Sequence, residues 1–210
     1  MPAASRSCPK AERRLSDGKQ PGGSRPLADI KAWRDNNPMA ARIDYRIARP
    51  TDAQAIAEQG KQAFVEAFGS VYAPPEVQGY FAQTYGGGMQ DQEINDPAVY
   101  LLVAEDEQGI FGHIKVGPCA LPVKVDEPSA EIKRFYLLAR SHGTGVASAM
   151  LMAAIEWARA RNAAALYLSC WTDNQKALRF YMRNGFTIVG RQQFAVGARI
   201  DDDHILRMAL

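Results

Sequence analysis

One stretch constrains this chain more than any other: residues 131–145 read EIKRFYLLARSHGTG. An apolar, aromatic-rich run suited to a buried strand passes directly into a glycine-rich turn. Behind the turn, Val146, Met150, Leu151, Ala154, Ile155 and Ala158 recur with the 3.6-residue period of a core-facing helix. A strand, a tight turn and a helix in this order build an anion site without a charged side chain. The turn aims backbone N–H groups outward, the first helical turn adds N–H groups with no partner in the helix, and the macrodipole favours negative charge there. Gly143 and Gly145 supply the backbone freedom and close approach that such a cradle requires.

The chain has 210 residues, 47% of them hydrophobic, enough for one buried α/β domain with a tail. A net charge of +2 is too mild to point to nucleic acid or an acidic membrane. The charge is unevenly placed. Residues 1–42 carry nine Lys/Arg against four Asp/Glu, and residues 43–210 carry 16 against 19, so the body of the chain is weakly acidic. That suits a cationic substrate. Cys8, Cys119 and Cys170 share no metal-ligand spacing and are odd in number, which suggests neither a zinc site nor a disulfide framework. No apolar run is long enough for a membrane span, and no early block resembles a signal peptide, so a cytoplasmic, reduced protein is expected.

Residues 1–41 are rich in Ser, Pro, Gly and basic side chains and read as a disordered basic leader, with a short helix near Leu27–Trp33. Met39 as the genuine start is the alternative. From residue 42 a single domain is expected to run to the end. Strands are expected at 43–48, 99–105, 110–116, 130–138, 164–171, 186–190 and 203–210. Helices are expected at 52–68, 74–85, from the glycine turn to Arg161, and at 173–184. Gly86–Gly88 stops the second helix, and the segment through Pro97 reads as loop. Asp201–Asp203 reads as a solvated turn. The fold class is α/β (α+β), with hairpins and one helical crossover.

Glycine turns are common, so the nucleotide has to be identified by context. A dinucleotide fold places G-x-G-x-x-G after its first strand, and a Walker A loop needs G-x-x-x-x-G-K-[ST]. Neither is present. The stretch HGTGVASAML together with LYLSCWTDNQKALRFYMRNGFTIVG resembles the GCN5-related N-acetyltransferase (GNAT) superfamily. The family's pyrophosphate loop, Q/R-x-x-G-x-G/A, is matched by His142, Gly143, Thr144, Gly145, Val146 and Ala147, with His where Gln or Arg is usual. A second frame begins at Arg140; the later frame keeps the family's strand-to-helix distance. The block N-x-x-A-x-x-x-Y-x-x-x-G-F is met at Asn174, Ala177, Tyr181, Gly185 and Phe186.

The resemblance implies the family's fold: a mixed, mostly antiparallel sheet of six to seven strands flanked by about four helices. It implies acetyl-CoA as cosubstrate and no metal. The loop residues would hold the diphosphate. Phe135, Tyr136 and Leu137 would flank the pantetheine arm, with the amide near Leu137 on the acetyl carbonyl. Asn174 and Ala177 would line the same arm, and Tyr181 would hydrogen-bond or protonate the departing sulfur. Phenol-to-thiolate transfer is uphill by ~1.5 pKa units, roughly 2 kcal/mol, so hydrogen bonding is at least as good a role as full proton delivery. Glu131 is the candidate base for the incoming amine, acting through water. Its alternative role is a surface carboxylate paired with Lys133 or Lys124.

The pattern is nearest to PaiA-type polyamine and small-amine acetyltransferases, which implies direct acetyl transfer to a primary amine such as a polyamine. A protein N-terminal or lysine acetyltransferase is a rival, as is a non-catalytic acyl-CoA-binding regulatory domain. The expected partner is a small-molecule amine, not nucleic acid or membrane, and a homodimer is allowed.

Overall fold

The computed structural model describes residues 43–125 and 127–210, together with the backbone of Ser7–Cys8. The short helix expected near Leu27–Trp33, and nearly all of the leader, lie outside the described residues. In chain order the strands are β1 (Ser7–Cys8), β2 (Asp44–Ile47), β3 (Tyr100–Asp106), β4 (Gly109–Pro118), β5 (Ser129–Leu137), β6 (Ala165–Trp171), β7 (Thr187–Val196) and β8 (Arg199–Ala209). The helices are α1 (Ala53–Phe68), α2 (Pro74–Tyr85), α3 (Met89–Asn95), α4 (Val146–Ala160) and α5 (Gln175–Arg183). They form one mixed sheet in the order β2-β3-β4-β5-β6-β8-β7. Only β5–β6 in that order is parallel, and the crossover through α4 is what such a pair requires.

Alternate residues of β5 serve opposite faces of the sheet, as a period of two demands. The Phe135 ring meets Phe180 of α5 edge-on at 6.5 Å. Tyr136 points the other way, its hydroxyl 3.3 Å from that of Tyr80 on α2. The first three helices therefore cover one face and α4 and α5 the other. The first face is held by an aromatic cluster centred on Phe64, which is fully buried and lies 4.7–5.8 Å from Phe68, Tyr72, Tyr80 and Phe81. Truncating a ring so enclosed costs about 3–5 kcal/mol.

The structure departs from the sequence reading in two places that matter. Residues 89–95, expected as loop, form α3, which starts after Gly88 in a left-handed conformation. With only Met89 and Ile94 as apolar residues, this short helix has too little periodicity to be recognised. Asp201, Asp202 and Asp203 are not a turn. They lie in β8, with Asp201 and Asp203 buried, and the last two strands form one long hairpin closed at 197–198. Burial of two carboxylates defeats any pattern based on apolar alternation.

His113 on β4 is fully buried, its Nδ1 2.5 Å from the Gln59 side-chain oxygen on α1. Burial, with Arg134 and Lys115 nearby, drives its pKa well below the usual imidazole value. The folded state thus binds this proton less readily than the unfolded chain, so stability is complete above about pH 6.5 and falls as pH drops below it. Urea titrations between pH 7.5 and 5 should show a His113-dependent loss of about 1.4 kcal/mol per pH unit. In His113→Leu that slope should disappear, whatever the variant's stability at pH 7.5.

Candidate active site

The sheet opens between its two parallel strands. Pairing of β5 with β6 ends at Ile132 and Leu168, although β5 continues to Leu137 and β6 to Trp171. On its other side β5 stays paired with β4 as far as Leu137. The Leu138 amide donates to the Phe111 carbonyl on β4 at 2.9 Å. Antiparallel alternation then turns the backbone of Tyr136 toward β4 as well, and the N–H and C=O groups of Phe135 and Leu137 toward the opening. An extended backbone fits there: β1 lies parallel to β5, with Ser7 opposite Phe135 and Cys8 opposite Tyr136. The opening can therefore take a chain of alternating donors and acceptors, as a pantetheine arm presents.

The glycine turn stands just past the end of β5. A single 3-10 turn at Ala139–Ser141 leads into it, and Gly143 and Gly145 adopt φ of 79° and 85°. The Thr144 hydroxyl donates to the Ser141 carbonyl at 2.6 Å and closes the turn. The first bond of α4 runs from the Ala149 amide to the Gly145 carbonyl, so the Val146 and Ala147 amides belong to the unbonded first turn. Gly143 is exposed and a methyl group there would meet nothing within 4 Å, which leaves room for a bulky anion. These features fit a diphosphate. His142 is half-buried at the head of the turn. Arg140 is committed elsewhere: it pairs with Asp106 and lies 4.8 Å over the Phe111 ring. That favours the loop frame beginning at His142.

On the other side of the opening, Asn174 caps α5, its side-chain oxygen accepting from the Ala177 amide at 3.1 Å. The N-x-x-A spacing is thus an N-cap before it is anything else. Ala177 and Tyr181 are fully buried, and the Tyr181 ring packs edge-on to Phe180 and Phe186 at 5.4 and 5.6 Å. Glu131 is buried, not superficial. Its Oε2 accepts from the Ala120 amide at 2.8 Å and from Lys133 Nζ at 3.0 Å.

Sequence reasoning missed the floor of the site. Trp171, Asp203 and Gln192 align across β6, β8 and β7, and Asp201 and Phe194 form the next pair on the same face. Trp171 lies edge-on to Phe68 at 6.0 Å, and Phe194 to Tyr80 at 6.1 Å. Asp201 accepts from the Tyr72 hydroxyl at 2.5 Å and from Arg199 Nε at 2.9 Å. No spacing in the sequence could announce this gathering, because its members come from five elements. Among the described residues no three His, Cys, Asp or Glu side chains gather to hold a metal ion, and no helix is long and apolar enough to cross a membrane.

A sheet parted between parallel strands, with a helix N-terminus at its mouth, is the architecture of a transferase that works on a coenzyme A thioester. The chain matches the Acetyltransferase (GNAT) family over residues 62–186, more than half its length, and belongs to that family. It is an acetyl-CoA-dependent N-acetyltransferase. An uncharacterized N-acetyltransferase of Mycobacterium tuberculosis is 28% identical over 156 residues, 74% of this chain and 96% of that protein. The fold is shared with the PaiA N-acetyltransferase of Thermoplasma acidophilum in complex with coenzyme A (TM-score 0.66, 17% identity, 80% of this chain and 99% of the other). It is shared too with the spermidine N-acetyltransferase of Vibrio cholerae in complex with CoA and spermine (TM-score 0.56, 18% identity, 80% and 96%).

A β-branched side chain at Gly145, where φ is 85°, must adopt a conformation that costs about 1–3 kcal/mol, which would distort the turn that leads into α4. Gly145→Val should weaken acetyl-CoA binding by about tenfold or more in calorimetry. A circular-dichroism spectrum matching the wild type would show that the loss is local.

Proposed function

We propose that this enzyme acetylates a small primary amine that reaches the thioester from the aromatic, carboxylate-bearing face of the sheet, a polyamine being the first candidate. The observation that carries this reading is the composition of that face. Phe68 packs against Tyr72 and against Trp171 at the end of β6, and Tyr80 against Phe194, with two β8 carboxylates alongside, Asp203 beside Trp171 and Asp201 beside Phe194. Ring faces and carboxylates together favour an alkylammonium over a neutral or anionic acceptor. A weakly acidic domain helps draw such a substrate in. The spermidine enzyme with the same fold lends the reading further support.

In the reaction the main-chain amides of Val146 and Ala147 hold the diphosphate, and His142 and Thr144 border it. The outward groups of Phe135 and Leu137 align the pantetheine arm. The Leu137 amide donates to the acetyl carbonyl and stabilises the oxyanion that develops there. Tyr136 supports the strand from behind, through β4 and Tyr80. Ala177 keeps α5 close to the arm, Asn174 fixes where that helix begins, and the Tyr181 hydroxyl stabilises the departing thiolate. An alkylamine is mostly protonated at neutral pH and has to lose a proton before attack. Glu131, reached through water, is assigned that step. The residue's bonds to the Ala120 amide and Lys133 support a rigid placement.

Release of CoA thiol from acetyl-CoA, followed with spermidine, free amino acids and N-terminal peptides as acceptors, separates the readings. Turnover with spermidine supports the small-amine assignment. Turnover confined to peptides replaces it with protein acetylation. No turnover despite tight acetyl-CoA binding identifies a regulatory binder. Tyr181→Phe should lower kcat by about tenfold to a thousandfold with little change in acetyl-CoA affinity. Glu131→Gln should abolish the acidic limb of the kcat/KM profile, and an unaltered limb would remove Glu131 from proton transfer.

A further inference from the structure

The opening between β5 and β6 begins at an irregularity held by charge. Along the β4–β5 ladder Lys115 faces Arg134, but the next pair is Val116 with Ile132, so Lys133 is an extra residue on β5. The same place is where β5 leaves β6, because Ile132 is its last partnered position there. A bulge bends its strand and strengthens the local twist. Arg134 follows the extra residue Lys133 at the start of the diverging segment, directly ahead of Phe135 and Leu137, whose outward groups border the opening.

Lys115 and Arg134 are two cations directly opposite each other on neighbouring strands, an arrangement that is destabilising by itself. Arg134 is buried and Lys115 largely so, their side chains 7% and 13% exposed. Between them lies the Glu93 carboxylate, carried on α3, the helix that sequence reasoning missed. One of its oxygens accepts from Lys115 Nζ at 2.6 Å, and the other accepts from Arg134 Nη2. Arg134 also lies 5.7 Å from the Tyr85 ring centre. One anion therefore serves two cations across the bulge. None of these three side chains has a part in the chemistry described above.

We propose that Glu93 is a positioning residue for acetyl transfer: by bridging Lys115 and Arg134 it fixes the bulge, and with it the angle at which β5 leaves β6. That angle sets where the Phe135 and Leu137 amides meet the thioester end of the cosubstrate. The inference rests on the assignment of the opening to the pantetheine arm.

The charged groups facing Lys115 are Glu93 from α3, Arg134 and Lys133 from β5, and His113 two residues along β4. Arg134 keeps its charge at any working pH, Lys133 is engaged by Glu131, and burial holds His113 neutral. Burial and Arg134 already lower the Lys115 pKa, and Glu93 opposes them. Removing the carboxylate should therefore let Lys115 lose its proton more easily, relieving the repulsion as pH rises.

Calorimetry on the full chain with two ligands tests this. Acetyl-CoA reaches both the cradle and the opening, whereas 3′-phosphoadenosine 5′-diphosphate reaches only the cradle. Glu93→Gln should weaken acetyl-CoA about tenfold at pH 7 and leave the nucleotide within about twofold. The acetyl-CoA deficit should narrow at pH 9, and Glu93→Gln combined with Lys115→Met should recover most of the affinity at pH 7. Equal losses for both ligands would mean general destabilisation and overturn the proposal, as would an unchanged acetyl-CoA affinity or a double variant no better than Glu93→Gln. A wild type that binds the nucleotide but gains nothing from the acetyl-pantetheine arm would overturn the assignment of the opening itself, and the role of Glu93 with it.

Discussion

Backbone hydrogen bonding that stops too early is the constraint on which this structure depends. A parallel pair in the middle of a sheet would ordinarily satisfy every N–H and C=O along its length. Here β5 and β6 part after Ile132 and Leu168 while both strands continue. Among the described residues the inner edge of β5 beyond Ile132 is met only by the two-residue strand β1, which lies parallel to it at Phe135 and Tyr136. An extended chain of amides can thus complete the sheet here, and the opening offers main-chain geometry in place of charged side chains.

The turn at Gly143–Gly145 is the second half of the same device. It ends the strand, starts α4 and leaves the first-turn amides without helical partners, so one local sequence sets an anion cradle at a fixed distance from the opening. The two halves are covalently continuous through residues 138–145. The face of the sheet that carries Trp171, Asp203 and Phe194 is assembled from α1, its following loop, α2, β6, β7 and β8, segments drawn from both sides of the turn in sequence.

Several expectations could be read directly from the chain because the chemistry behind them is local. The strand–turn–helix from Glu131 onward was legible because glycine alone tolerates φ of 79° and 85° at such positions. The segment from Asn174 to Phe186 was legible as a motif, though its physical meaning changed in three dimensions. Asn174, expected inside a helix over 173–184, stands just ahead of α5 and caps it. Asp201 and Asp203 were read as solvated because three consecutive carboxylates show no apolar alternation. Tyr72, a partner of Asp201, lies 129 residues away. Glu93 was invisible for the same reason, since its value comes from two lysine- and arginine-bearing strands that the fold sets side by side.

The sequence by itself pointed to the cosubstrate through its resemblance to a family, because the glycine turn ahead of an apolar helix and the Asn–Ala–Tyr block are short-range patterns that are visible in a linear chain. Tertiary structure decided where the sheet opens, which carboxylates are buried and which rings gather on the face of the sheet covered by α1 and α2. Those outcomes depend on contacts between residues tens to more than a hundred positions apart, and burial, charge pairing and ring packing at that range leave no periodic trace in a linear chain.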